Sequence, residues 1–227
     1  MAAAILVGQI SIGIERLIII NLGLTAISVF GVVMAIFIGV GLVHKEMERR
    51  TLYSLLSKPV RRWQFIVGKF AGLALTLAVN TAFMTVGLAV ALLYVSHALH
   101  LSDGQILVAV FFILLQLNLL TGLALFFSSF STPLVSTLCT LGLYVGGIFT
   151  QDIRAMGEMS KNPGLEKLTA AISYLLPNFN AFNVIGAVAH EKPIPWILVF
   201  ENTAYAILYT TVTLVGAAAI FSNRDLK

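Results

Sequence analysis

Residues 104–151, GQILVAVFFILLQLNLLTGLALFFSSFSTPLVSTLCTLGLYVGGIFTQ, contain no Asp, Glu, Lys or Arg over 48 positions. A single straight helix of this length would extend roughly 72 Å, more than twice the thickness of a bilayer core. The run must therefore fold back on itself. Ser128 to Thr132 is rich in hydroxyl groups and is followed by Pro133, which is typical of a helix end and a new start. We predict two membrane-spanning helices here, at about 106–127 and 134–150.

The whole chain is too apolar for a soluble protein. Of its 227 residues, 59% are hydrophobic and 11% are charged, and the mean hydropathy is +0.96. Soluble domains carry about 25% charged residues, so these charges are too few to cover a surface that faces water. The predicted fold class is an all-α, polytopic helical bundle in a membrane.

Three further uncharged runs predict spans at about 17–43, 71–95 and 196–221. The chain then forms one transmembrane domain over residues 1–227 with five full spans. The apolar stretch from Ala2 to Ile14 is too short to cross a bilayer alone. We interpret it as the tail of a first span whose beginning is missing, or as a short segment at the membrane interface.

Seven of the fourteen basic residues lie between the first two full spans. They are Lys45, Arg49, Arg50, Lys58, Arg61, Arg62 and Lys69. The positive-inside rule then places the connection 44–69 and the C-terminus in the cytoplasm and the loop 151–195 outside. Because these charges adjoin a span, the pI of about 9.3 does not indicate a nucleic-acid partner. We expect a multi-pass protein of the cell membrane, namely the inner membrane of a bacterium.

The connection 44–69 contains a short amphipathic helix by its pattern. Leu52, Leu55 and Leu56 recur at helical spacing, and Pro59 ends that helix or starts the next one. One interpretation is an anchor that lies on lipid headgroups. The other is a helix that docks into a groove on a cytosolic partner. Glu46 and Glu48 favour docking slightly, because acidic side chains gain nothing beside anionic lipid.

The same segment resembles a known family. Residues 48–62, ERRTLYSLLSKPVRR, followed by Gly68-Lys69, look like the region after the second span in permeases of the ATP-binding-cassette type-2 transporter family. Residues 175–179, LLPNF, and 221–226, FSNRDL, are similar to later parts of that pattern. The family's N-terminal elbow helix and most of its first span have no counterpart here, so the resemblance leads us to expect a chain that is shortened at the N-terminus relative to that six-span pattern.

The resemblance implies a permease that pairs with a second permease chain, as a homodimer or a related heterodimer, and with a separate cytosolic ATPase. It also implies that residues 44–69 act as a coupling helix against that ATPase. The residues expected to carry the coupling are Glu46, Glu48, Arg49, Arg50, Thr51, Leu52, Leu55, Leu56 and Pro59.

The ATPase is expected to be another chain. No GxxxxGK[ST] motif occurs in this sequence, so ATP and Mg²⁺ would lie on the partner, and we expect no cofactor bound here and no enzyme activity. The leading hypothesis is the permease subunit of an ATP-driven exporter. An ion-coupled secondary transporter would need ionisable residues near the middle of its spans. A membrane scaffold without transport activity remains a further alternative.

The outer loop 151–195 shows two short amphipathic patterns, separated at 162–164. These helices form either an exit gate or a cap that seals the spans from water. The gate candidates are Leu175, Leu176, Pro177, Asn178 and Glu201.

For several other polar and small residues we expect a structural role. Asn80, Gln116 and Asn118 are expected to bond between helices, and Gly142-x-x-x-Gly146 permits close helix packing. A metal site at His97, His100 and Asp103 is conceivable, but a solvated helix end fits better. The single cysteine, Cys139, excludes an intrachain disulfide.

Overall fold

A computed structural model describes residues 2–48, 62–96, 104–160 and 163–223. These residues contain eight α helices, a short 3-10 helix at Phe179–Phe182 and no strand. The prediction of an all-α helical membrane protein is confirmed. The helices are α1 Ala2–Glu48, α2 Arg62–Ser96, α3 Gly104–Ser128, α4 Pro133–Ile148, α5 Thr150–Met159, α6 Pro163–Leu175, α7 Ile185–Ala189 and α8 Trp196–Asn223.

Helix α3 is the centre of the bundle. It contacts α1, α2, α4 and α8, and 67% of its span is buried, against 22–28% for the other long helices. Its apolar residues lie on every side, and all seven residues from Leu119 to Leu125 are buried. A helix that is apolar all round is stable only when other helices surround it. The most hydrophobic part of the chain is therefore its core.

Four helices are long and apolar enough to cross a membrane: Glu15–Gly41, Trp63–Val95, Gly104–Ser128 and Trp196–Phe221. They overlap four of the predicted spans, although the second, Trp63–Val95, starts eight residues before the predicted 71. The fifth predicted span, 134–150, corresponds to α4, which has 16 residues and continues into α5 after a bend of 54°. As predicted, α3 ends at Ser128 and α4 starts at a proline.

The structure corrects the prediction at the N-terminal end of the chain. Ala2 to Ile14 is not a segment separate from the first span, because Ala2–Glu48 is one unbroken helix of 47 residues. Glu15 and Arg16 interrupt the apolar pattern, but both are ordinary helix residues and neither ends a helix. A charge in a hydropathy plot marks a change of environment and leaves the backbone intact.

The helix connections place different parts of the chain at the two ends of the bundle. One end carries α5, α6, the 3-10 helix and α7, and we call residues 150–195 the cap. The cap contacts α1, α3 and α4. At the opposite end, the Ser128 hydroxyl donates to the Val40 carbonyl at 3.4 Å, and the rings of Phe65 and Phe221 stack at 5.6 Å.

Candidate functional site

The predicted coupling residues lie mostly outside the described residues. Glu46 and Glu48 belong to the last turn of α1, and the structure gives their backbone position. Arg49, Arg50, Thr51, Leu52, Leu55, Leu56 and Pro59 lie in 49–61, outside the described residues. Helices α1 and α2 pack side by side on either side of that segment. The end of α1 and the start of α2, which flank residues 49–61, therefore lie at the end of the bundle opposite the cap.

The start of α2 and the end of α8 share this end of the molecule. Ile66, Ala217 and Phe221 form a buried apolar cluster that joins the two helices. The Lys69 ammonium lies 5.3 Å from the centre of the Phe65 ring, a cation–π distance. The start of α2 and the end of α8 thus lie at the same end of the bundle.

At the cap, the predicted gate residues Leu176, Pro177 and Asn178 form one group of contacts, which we call the brace. The backbone N–H of Asn178 donates to the Tyr205 hydroxyl of α8 at 3.0 Å. The Asn178 side-chain oxygen accepts from the Ala181 N–H and from the Thr150 hydroxyl, each at 3.3 Å. Asn178 therefore caps the 3-10 helix.

The brace also holds the bend between α4 and α5. The Pro177 carbonyl contacts Gly147, where a Cβ atom would leave no space, and Leu176 lies against Gly146. Gly142 has no neighbour within 4 Å, so among the described residues no helix uses the predicted Gly142-x-x-x-Gly146 surface. Two gate candidates stand apart: Leu175 ends α6, and Glu201 is exposed on α8.

A cavity of about 300 Å³ lies between α1, α3, α4 and the cap. Helix α1 lines one side with a polar stripe, and α3 supplies the other polar side. The 3-10 helix and the start of α7 cover the cavity at the cap end. Its polar lining comprises Asn21, Thr25, Ser28, Gln116, Asn180 and Asn183, together with the Tyr144 hydroxyl of α4.

One hydrogen bond between two helices lies in the lining of this cavity. The Gln116 side-chain N–H donates to the Tyr144 hydroxyl at 3.2 Å, and Ser28 of α1 also interacts with that hydroxyl. The prediction that Gln116 bonds between helices is correct. For the two asparagines it is wrong: Asn80 donates to Thr76 O and Asn118 to Leu114 O, each inside its own helix. A carbonyl one turn back is within reach of a short amide side chain.

An ion pair ties α1 to the cap. Arg16 is 9% exposed, and its Nε lies 3.7 Å from an Oε of Glu191. Glu191 follows α7 with a φ of 55°, and its N–H donates to Val188 O while the next N–H donates to Ala187 O. This is the Schellman ending, where glycine is usual. Nothing in the local sequence pattern indicates this ion pair, because its two residues are far apart in the chain.

The structure identifies no metal site in the residues that it describes. His97, His100 and Asp103 lie outside those residues. Among the described residues, no three His, Cys, Asp or Glu side chains are grouped as metal ligands. Cys139 is exposed on α4.

Comparison with protein families identifies a related family. The model of a family described as ABC-2 family transporter protein matches residues 2–226. No curated protein matches the chain.

Proposed function

The chain belongs to the ABC-2 transporter family and is a membrane permease component of an ABC transporter, and on this basis we propose that it serves an ATP-driven exporter. A separate cytosolic ATPase supplies the energy. Two permease chains, identical or related, pack against each other and transport the substrate together. ATP and Mg²⁺ are bound by the ATPase, and this chain holds no cofactor and does no chemistry on ATP.

The observation that carries the proposal is the family match over nearly the whole chain, from residue 2 to residue 226. The geometry supports it. The segment 49–61, with the basic residues that favour a cytoplasmic position, joins two long packed helices at the end opposite the cap. A partner that binds the segment 49–61 can therefore move α1 and α2 together.

In the proposed mechanism, the ATPases close on ATP and displace the coupling segment. The shift moves α1 and α2 against the rest of the bundle. Two states with different affinity for ATP are enough to convert its binding and hydrolysis into alternating access. The cap then faces outward, and the brace at Leu176 to Asn178 acts on the outer exit through the bend at Gly147.

An ion-coupled secondary transporter is the weaker alternative. Coupling to an ion normally requires an ionisable side chain near the middle of a span. Residues 17–41, 106–127, 134–148 and 202–221 contain no Asp, Glu, Lys, Arg or His. We therefore propose ATP as the energy source and the cell membrane as the location, with the C-terminus on the cytoplasmic side.

The test is co-purification of the ATPase with a coupling variant. Leu55→Glu combined with Leu56→Glu places two charges on the apolar stripe of the segment, so ATPase binding should be lost while membrane insertion stays intact. Tagged chain is purified in mild detergent, and ATPase recovery and ATP hydrolysis are measured.

The control carries the same two charges on the other face of the predicted helix, as Ser54→Glu combined with Ser57→Glu. It should recover the ATPase at the native level. Normal recovery with the leucine variant would remove the coupling role. Failure of the native chain to recover any Walker-type ATPase would remove the exporter function itself.

A further inference from the structure

We propose that the cavity between α1, α3, α4 and the cap binds an uncharged polar headgroup, and that the apolar chain of the same molecule lies along the exposed face of α1. The ligand is thus an amphiphile with a neutral head rich in hydroxyl or amide groups. This inference deepens the proposed function, because it names a substrate class. It rests on that function for the claim that the bound molecule is cargo.

The lining of the cavity selects against charge. Its polar groups are amides and hydroxyls, and none of its lining residues is Asp, Glu, Lys, Arg or His. A charged headgroup would enter a region of low dielectric without a partner of opposite sign, which costs many times the energy of a neutral group. Amides and hydroxyls both donate and accept, so they suit a neutral head that does the same.

The cavity reaches deep into the bundle. Ser28 is twelve residues from Arg16 along α1, and Gln116 is twelve residues from the start of α3. At the helical rise, each lies roughly 18 Å below the cap end. At this depth the Gln116 amide and the Tyr144 and Ser28 hydroxyls bond to one another. An amide and two hydroxyls have more donors and acceptors than these contacts use, so they can bind a further polar group.

The mouth of the cavity lies where the surface changes from polar to apolar. Asn21 and Thr25 are exposed and line the cavity. The same four-residue step along α1 continues with Val29, Val33 and Phe37, whose exposed fractions are 53%, 46% and 65%. Positions four residues apart follow one slowly winding face of a helix. The head of an amphiphile and its chain thus find matching surfaces on one helix.

The volume fits a headgroup and excludes a whole lipid. About 300 Å³ is at the lower end of ligand pockets, enough for one sugar-sized group. The chain of the ligand must then remain outside, where α1 presents its apolar stripe.

The experiment measures protection of the mouth. Full-length chain with Cys139→Ser and Thr25→Cys is placed in phosphatidylcholine nanodiscs and labelled with a maleimide. Octyl glucoside below its micelle concentration is the neutral probe, and octyl phosphate and octyltrimethylammonium are its anionic and cationic counterparts. Octyl glucoside should slow labelling about tenfold, the gain expected from one or two hydrogen bonds, while the charged probes change it less than about twofold.

Two controls make the result specific. Phe30→Cys, on another face of α1, should label at the same rate with and without octyl glucoside. Gln116→Leu should weaken the protection about tenfold, whereas Asn118→Leu, whose amide bonds within its own helix, should keep it. If Gln116→Leu fails to fold, Asn21→Val at the exposed mouth replaces it, with the same expected loss.

Equal protection by all three probes, or none by octyl glucoside, overturns the inference. Labelling that is slow without any probe and rises when the chain is diluted would show that a second copy covers the mouth, which also overturns it. ATPase recovery from the same preparations separates the two proposals. Recovery without protection contradicts only this inference, and protection without recovery contradicts only the proposed function.

Discussion

Helices α3 and α4 come from the same uncharged run of sequence, yet they are buried in opposite ways. In α3 the large apolar side chains are inside, with Phe112, Leu117 and Leu120 all fully buried. In α4 the buried residues are Ser136, Thr140 and Gly147, and its leucines at 134, 138 and 141 are exposed.

The difference shows what a membrane selects. An apolar side chain gains little by leaving lipid for protein, since both surroundings are apolar. A hydroxyl gains a partner, and a small residue allows helices to approach closely. Hydropathy therefore locates both helices but does not say which face of either one meets the protein.

The largest effect should come from adding a side chain where α3 and α8 touch. At Gly122 a Cβ atom would lie 2.8 Å from the Thr213 hydroxyl and 3.4 Å from Thr210 Cγ2. Gly122→Leu should lower the free energy of unfolding by about 3 kcal/mol, because Thr210 and Thr213 are both buried and a larger side chain would have to displace them.

Gly142→Leu in α4 is the matched control, because Gly142 has no neighbour within 4 Å. Unfolding of both variants is followed in mixed micelles of dodecyl maltoside and sodium dodecyl sulfate. Equal losses at the two glycines would contradict the assignment of α3 to the core.

Shortening a buried leucine side chain to alanine should produce the next largest effect. Leu120 is fully buried in α3, whereas Leu138 in α4 is 58% exposed. Leu120→Ala should cost about 2 kcal/mol, at the low end of the range for buried leucines, because lipid offers little hydrophobic penalty and mainly packing contacts are lost.

Leu138→Ala should change stability by less than about 0.5 kcal/mol in the same unfolding assay. A larger loss at Leu138 than at Leu120 would mean that α4 has a protein partner in the purified sample. The comparison of the two leucines would then report on assembly.

The smallest effect concerns two serines that are both fully buried. Ser128, at the end of α3, donates to Val40 O, whereas the Ser136 hydroxyl of α4 has no partner among the described residues. Ser128→Ala should cost about 1 kcal/mol, and Ser136→Ala should leave stability unchanged or raise it slightly. A loss at Ser136 equal to that at Ser128 would reveal a partner for its hydroxyl.

The helices could be predicted because their cause is local. The length of the uncharged runs predicted the four long spans, and the hydroxyl residues before Pro133 predicted the break between α3 and α4. The expected separation of residues 2–14 from the first span was wrong, because Glu15 and Arg16 interrupt the apolar pattern without interrupting the helical backbone of α1.

The contacts that shape the cap and the cavity could not be predicted. Asn178 meets Tyr205, and Gln116 meets Tyr144, through pairings 27 and 28 residues apart in the chain. Nothing in the local pattern distinguishes these side chains from Asn80 or Asn118, which bond to their own helices. Only the three-dimensional positions of neighbouring helices decide which amide has a partner across a gap.

The unbroken course of α1 has a mechanical consequence. A helix is stiff along its axis, so a push or a twist applied at Glu48 reaches Arg16, roughly 48 Å away, with little loss. The ion pair between Arg16 and Glu191 would pass that motion to the loop after α7. Helix α1 then connects the two ends of the molecule, so a movement at Glu48 reaches the cap without any rearrangement of the contacts that lie between them.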